Sequence, residues 1–408
     1  MSQLTIKRKS TVEGVVKNLP SSKSLSNRAL ILEALAGKQS VVSNLSSARD
    51  TVLMKKLIAS PDKEIDVMDA GTTMRFLTGY FASRGENKIM TGAARMKERP
   101  IALLVEALRA LGVTIEYLGK EGFPPIEIKS FGQQRATEVE IPGHVSSQYI
   151  SSLMMIAPTL PLGLTIRLTG KVGSRPYIEM TAALMRHFGA ECHFDGTVLR
   201  VPPGRYQAQP YAVEGDWSGA SYWFAFVALA SHAQIELHGV VDRSLQGDRA
   251  IVEVMKALGV DTTFTPQGAR LQKQTAAPTV RWDFTDCPDL AQTVLPVCAA
   301  KGIVGTFTGL ESLRIKETDR IAALQQELAK LGAVLAEPTS GTWQLTPSPQ
   351  PLPASVHIHT YHDHRMAMGL APLAALMDVT IADPRVIDKS YPTYWQDVAS
   401  LGFEISER

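Results

Sequence analysis

The stretch RIKETDR, residues 314–320, places Arg314, Lys316, Glu317, Asp319 and Arg320 within seven positions and runs directly into the apolar-periodic segment IAALQQELAKLGA. Glu317 lies four residues before Ile321, and Arg320 four before Leu324. Residues four apart share a face of a helix, so the pattern puts both charges on the buried stripe. Charges there are costly unless they are paired or hold a ligand. Either Glu317 and Arg320 satisfy each other in an N-terminal salt bridge, or they bind something.

The same juxtaposition recurs at other helix starts. PSSKSLSNRALILEAL gathers Ser22, Lys23, Ser24 and Arg28 around the beginning of an apolar helix. DAGTTMRFLTGYFA has a Gly-Thr-Thr turn followed by Arg75, and HVSSQYISSLMM opens on Ser146, Ser147 and Gln148. GSRPYIEMTAALM offers Ser174 with Pro176 at a first helical position, and YHDHRMAMGLAPL offers Asp363 as a cap followed by His364 and Arg365. Free N–H groups and the positive end of the helix dipole favour anions, and adjacent hydroxyl, Lys and Arg groups suit phosphate or carboxylate. Together they point to two anionic ligands held beside an acid/base pair. Lys389 in DKSYPTYW and Asp289 in PDLAQT complete the set. On local sequence alone, Asp289 after Pro288 reads as a helix cap.

The elements that must position these residues repeat along the chain. An apolar helix end, a glycine and an immediate strand recur as LRALGVTIEYL (Gly112), LMRHFGAECHF (Gly189), VMKALGVDTTF (Gly259), LAKLGAVLAE (Gly332) and VASLGFEI (Gly402). A version without glycine, LMKKLIASPDKEIDV, precedes them. Gly closes a helix in the left-handed conformation and lets the next strand begin at once. Six units of roughly 70 residues account for the chain. Three repeats per half predict two similar α/β domains, with the break near VEGDWSG after the Pro-rich stretch VPPGRYQAQPYAVEG.

With 408 residues the chain exceeds the size of a single core. A net charge of +2 gives no basic field for nucleic acid. Cys192, Cys287 and Cys298 are odd in number and form no CxxC, which fits a reducing compartment. MSQLTIKRKS lacks the apolar core of a signal peptide, and no apolar run approaches a membrane span. A cytoplasmic monomer without cofactor or metal is expected. HIHTYHDHR, with His357, His359, His362 and His364, looks superficially like a metal site, but its alternation fits one strand face and no dense carboxylate set accompanies it. CxxC, HExxH, EF-hand, GxxxxGK[ST], GxGxxG and GxSxG patterns are missing.

Taken in order, the segments SKSLSNRA, DAGTTMR, MKERPI, SSQYISSLM, SRPYIEMT, EGDWSGASY, QGDR, PDLAQT, LRIKETDR, YHDHRMAM and DKSYPTYW are similar to those of the 5-enolpyruvylshikimate-3-phosphate synthase family of enolpyruvyl transferases. The resemblance spans essentially the whole chain; MKERP, KETDR and DHRMAM are highly specific together. It implies two similar α/β domains, each of three βαββαβ repeats in an inside-out barrel, with helix N-termini facing an interdomain cleft. The chain would cross twice, so residues 20–215 form one domain and 1–19 plus 216–408 the other. It implies that phosphoenolpyruvate is held by Lys23, Asp69, Gly71, Arg99, Gln148, Arg320, Arg365 and Lys389. Shikimate 3-phosphate falls to Ser24, Arg28, Ser146, Ser147, Gln148, Ser174, Tyr177, Asp289, Ser312 and Lys316. Lys23, Asp289, Glu317 and His364 make up the implied catalytic set. In the implied addition–elimination, Asp289 takes the proton of the 5-hydroxyl as it attacks C2 of phosphoenolpyruvate. Glu317 and Lys23 are candidates for protonating C3, and phosphate leaves from a tetrahedral intermediate. Clustered cations that repel one another predict an open free enzyme that closes on its ligands.

The sequence departs from the family pattern at four places. Ser21 stands where Gly is usual, Asp69 where Asn is usual, Phe76 where Pro is common and Ser312 where many members have Asn. The nearest rival is the UDP-N-acetylglucosamine enolpyruvyl transferase family, whose active-site loop usually carries a Cys; TGAARMKERP has none. A non-catalytic anion-binding protein and a metallohydrolase built on HIHTYHDH are the readings from other classes.

Overall fold

The computed structural model describes residues 2–37 and 41–408. It divides into two compact units. Met1–Ser22, Ser47–Arg49 and Glu214–Arg408 form one, here the C-terminal unit; Lys23–Ser46 and Asp50–Val213 form the other, the N-terminal unit. Each has its own continuous apolar core.

The C-terminal unit contains three four-stranded sheets of one design. In the clearest, Thr279–Asp283 runs parallel to Val304–Thr308, which pairs antiparallel with Thr342–Thr346, itself antiparallel to Val334–Thr339. The N-terminal strands complete the other two: Thr11–Val16 pairs parallel with His232–His238, and Gln3–Ile6 lies between Asp378–Ala382 and Ile405–Glu407. The N-terminal unit has two sheets of the same design, built on Lys88–Thr91 and Leu164–Thr169, and a two-stranded pair, Val42–Ser43 with Tyr211–Ala212.

The order within a repeat is strand–helix–strand–helix–strand–strand, and not the implied βαββαβ. The reason is geometric. The parallel pair needs a crossover, supplied by the first helix, and only the last two strands can be joined as a hairpin. The two helices differ accordingly. First helices such as Gly71–Ser83, Ser147–Ile156, Trp217–Leu229 and Ala291–Lys301 are buried on nearly every side. Second helices such as Ala102–Ala110, Arg175–His187 and Arg320–Ala329 bury one stripe and leave the rest in solvent. They end as the sequence predicts. Gly332, at φ +73°, follows the last turn of Arg320–Ala329, and the strand Val334–Thr339 begins two residues later.

The threshold of that helix differs from expectation. Asp319 is the N-cap, accepting from the backbone N–H of Ile321 at 3.0 Å and Ala322 at 3.1 Å. A short cap carboxylate wins the free N–H groups, so only Arg320 lies on the helix. Lys316 and Glu317 belong to the turn after Glu311–Ile315.

The histidine run is a strand edge. His357 and His359 are exposed on alternate positions beyond Val356 and Ile358, their rings 4.9 Å apart. Among the described residues no group of His, Cys, Asp and Glu is arranged to hold a metal ion.

Candidate active site

In the C-terminal unit the charged helix starts converge on one guanidinium. Arg320 is 2 % exposed and donates from Nε to Asp363 Oδ2 at 2.7 Å, from Nη1 to Asp289 Oδ1 at 2.8 Å and from Nη2 to Glu317 Oε2 at 2.9 Å. The salt bridge between Glu317 and Arg320 exists, but it is one of three. Asp363 does two jobs: it caps the helix His364–Leu370 through Arg365 N at 2.9 Å and orients Arg320. His364 is buried with Nδ1 3.5 Å from Asp363 Oδ1. Lys389 is buried with Nζ 3.6 Å from Glu317 Oε1. Ser312 sits half-buried in the turn Glu311–Ile315.

Asp289 is not a cap, which corrects the reading from local sequence. It lies inside the short 3-10 turn Pro288–Leu290, whose N-cap is Cys287, and its carboxylate is taken by cations instead. Oδ1 accepts from Arg320, Oδ2 accepts from Arg365 Nη2 at 2.9 Å, and Lys316 Nζ stands 3.9 Å away. Burial pushes this carboxyl up, but Arg365, Lys316 and Arg320 outweigh it and hold it well below the usual carboxylate range. Burial alone would lower the Arg320 pKa; Asp363, Glu317 and Asp289 raise it, so the guanidinium is permanently charged. Every buried cation here faces a carboxylate, so an incoming anion must displace one.

The N-terminal unit carries the other predicted residues on its own helix starts. Lys23 begins the helix Lys23–Leu35, with Nζ 3.4 Å from Asp50 Oδ2. Arg28 is buried one turn later. It donates to Thr181 Oγ1 at 2.7 Å, Ser24 O at 3.0 Å and Ser151 Oγ at 3.1 Å, with its guanidinium over the rings of Phe76 and Tyr177. Burial lowers its pKa to about 10, which leaves it charged at neutral pH. Phe76, one of the departures, is therefore part of the surface on which Arg28 rests. Ser146 Oγ caps the helix Ser147–Ile156 by accepting from Gln148 N at 3.4 Å, and Gln148 Nε2 donates to Thr72 Oγ1 at 3.1 Å. Ser147 is buried in the first turn of that helix. Ser174 precedes Arg175–His187 at φ +53°, a left-handed conformation unusual for Ser. Asp69 is half-buried just before the helix Gly71–Ser83, and Arg75 in that helix donates to Pro100 O at 2.8 Å and Gly71 O at 3.2 Å.

At Gly71 the space a side chain would fill is taken by Arg99. A Cβ there would lie 2.7 Å from Arg99 Nη1 and 2.9 Å from its Cζ. The guanidinium sits against the helix start. Gly71→Ala is expected to displace Arg99 and raise the KM for an anion bound at that guanidinium by about tenfold, or roughly 1.4 kcal/mol, with little change in Tm. Steady-state kinetics beside a thermal melt checks this; an unchanged KM would separate Arg99 from binding.

Three contributors had only a weak signal in the sequence. Asp50 gives no motif of its own. Ser218 and Tyr222 lie within EGDWSGASY and meet Arg365 at 3.4 Å each. Their role is visible only once Arg365 is placed.

Comparison with known proteins agrees along the whole length. The family model described as EPSP synthase (3-phosphoshikimate 1-carboxyvinyltransferase) matches residues 6–60 and 55–398. A 3-phosphoshikimate 1-carboxyvinyltransferase of Bacteroides fragilis is 47% identical over 391 residues, covering 95% of both chains. One of Idiomarina loihiensis is 36% identical over 414 residues, covering 94% of this chain and 95% of the other. The solved EPSP synthase of Acinetobacter baumannii superposes with a TM-score of 0.81 at 19% identity, covering 100% of both chains, and this bears on the fold alone.

Proposed function

The chain belongs to the EPSP synthase (3-phosphoshikimate 1-carboxyvinyltransferase) family, and we propose that it uses the residues above to hold the two substrates and move the protons. Its reaction transfers the enolpyruvyl group of phosphoenolpyruvate to the 5-hydroxyl of shikimate 3-phosphate and releases phosphate, a step of the shikimate pathway toward chorismate and the aromatic amino acids.

The observation that carries the assignment of roles is the pair of carboxylates, Asp289 and Glu317, bonded to one buried Arg320. Binding alone would not want carboxylates beside an anion site. In the free protein they keep buried cations paired. When phosphoenolpyruvate takes Arg320, Arg365 and Lys389, Asp289 is released as a base, and Glu317, no longer neutralised by cations, takes up a proton from solvent. Asp289 then accepts the 5-hydroxyl proton as the oxygen attacks C2, and C3 is protonated from Glu317 or Lys23. The group that protonated C3, now its conjugate base, takes a proton back from C3 as the C2–O bond to phosphate breaks. The cations stabilise the leaving phosphate. Lys23, Asp69, Gly71, Arg99 and Gln148 serve phosphoenolpyruvate on the N-terminal unit. Ser24, Arg28, Ser146, Ser147, Gln148, Ser174 and Tyr177, with Asp289, Ser312 and Lys316, serve shikimate 3-phosphate. His364 acts through Asp363. No described helix is long and apolar enough to cross a membrane; we assign the enzyme to the cytoplasm as a monomer, which sedimentation would check.

The test is phosphate release on mixing the protein with shikimate 3-phosphate and phosphoenolpyruvate, with no metal added. Release that requires both substrates and is lost in Glu317→Ala supports the reading. Release only with UDP-N-acetylglucosamine would move the protein to the rival transferase.

A further inference from the structure

We propose that Asp248 is a positioning residue of the active site, acting through Ser218 on the Arg365–Asp289 ion pair. The inference rests on the assignment of Asp289 as the base.

The position is the first argument. In the C-terminal unit, the residues just before the second helices supply Glu317 ahead of Arg320–Ala329 and Lys389 ahead of Tyr394–Ser400. The third such place, the 3-10 turn Gly247–Ala250 ahead of Ile251–Ala257, supplies Asp248 from the QGDR segment. The contacts are the second. Asp248 is 2 % exposed, and its Oδ2 accepts from Ser218 Oγ. Ser218 Oγ in turn accepts from Arg365 Nη2 at 3.4 Å, and that same nitrogen donates to Asp289 Oδ2 at 2.9 Å. The third is an orphan: Asp248 Oδ1 is buried with no hydrogen-bond partner among the described residues. As pure scaffolding a carboxylate with a bare oxygen is a poor choice, because an amide or apolar group would avoid the desolvation cost.

The titratable and charged groups facing Asp248 are Asp289, Arg365, Asp216 and the Cys287 thiol. Burial first, and Asp289 second, raise its pKa to about 6. When ionised, Asp248 draws Arg365 toward Ser218 and repels the charge on Asp289. Both effects loosen the hold on Asp289 and make it a stronger base. When Asp248 is protonated, the cations keep Asp289 and its basicity falls.

The test compares Asp248→Asn, Ser218→Ala and Asp289→Asn with the wild type. In Asp248→Asn, kcat at pH 8 should fall about tenfold, the KM for phosphoenolpyruvate should not rise, and the acidic limb of kcat near pH 6 should vanish. A structural role would move none of these together. Ser218→Ala, which cuts the relay and keeps the charge, should lower kcat to a similar extent without loss of fold. Folded stability argues the same way. The raised pKa means that Asp248 costs stability as pH rises from the unfolded value of about 3.9 toward 6. The variant should therefore match or exceed the wild-type Tm at neutral pH. Wild-type kcat with the limb intact in Asp248→Asn, or an unaffected Ser218→Ala, overturns the inference. If Asp289→Asn is inactive in that case, the base assignment survives. Full activity in Asp289→Asn would remove both.

Discussion

Asp289→Asn is expected to lower kcat by roughly 10²–10⁴-fold, the usual worth of a positioned general base, while the KM for phosphoenolpyruvate stays level or falls. The asymmetry follows from the pairing. The carboxylate of Asp289 holds Arg320 Nη1 and Arg365 Nη2, two groups assigned to the anionic substrate. Neutralising it removes a competitor for those guanidiniums but also removes the acceptor that both of them place for the hydroxyl proton. An amide is isosteric, so the turn Pro288–Leu290 and the helix that follows should persist. Rapid-quench measurement of phosphate release, with calorimetric titration of phosphoenolpyruvate, separates the two effects. A kcat within threefold of wild type would exclude Asp289 as the base; a strongly weakened ligand affinity would make it a binding residue instead.

Arg320→Met should be the most destabilising substitution in the site, by about 3–5 kcal/mol, the range for removing one partner of a buried ion network. Three carboxylates, of Asp289, Glu317 and Asp363, lose their shared cation, and Asp363 has no exposure through which water could replace it. The deficit depends on pH with a definite sign. The folded-state pKa of Asp289 is depressed, so its stabilising contribution is present above the unfolded carboxylate value of about 3.9 and is lost as pH falls through the folded value. Removing Arg320 removes part of that contribution. The gap between wild type and variant should be widest near neutral pH and narrow as the carboxyls are protonated. Denaturant midpoints at pH 7 and near pH 2, below the unfolded carboxylate value and close to the depressed folded one, read it directly. An equal gap at both values would mean that the loss comes from packing around the guanidinium stem and not from charge. Activity should be abolished in either case, because the same cation is assigned to phosphoenolpyruvate.

The repeats and their chemistry were legible because they are written locally. A helix end before Gly112, Gly189, Gly259, Gly332 or Gly402 needs only a residue that tolerates positive φ, and all five glycines adopt it. Lys23, Ser146, Ser174, Asp363 and Arg365 could be placed at helix starts because caps and first-turn residues announce themselves within a few positions. What each charge does there was not local. Asp289 looks like a cap in its own segment and becomes a base candidate only because Arg320 and Arg365, 31 and 76 residues further on, reach it before any backbone N–H does. Glu317 and Arg320 form the pair that their spacing allows, yet Asp363 completes it from 43 residues away. Asp248 carries no signal beyond a four-residue segment until Ser218 and Arg365 close the chain of contacts around it. By itself the sequence determined which residues stand at helix thresholds, since that depends on propensity and capping over one turn. Only the tertiary structure decided which carboxylate faces which cation, because burial strengthens charge interactions and so lets the approach of distant segments, not neighbours in the chain, set each proton affinity.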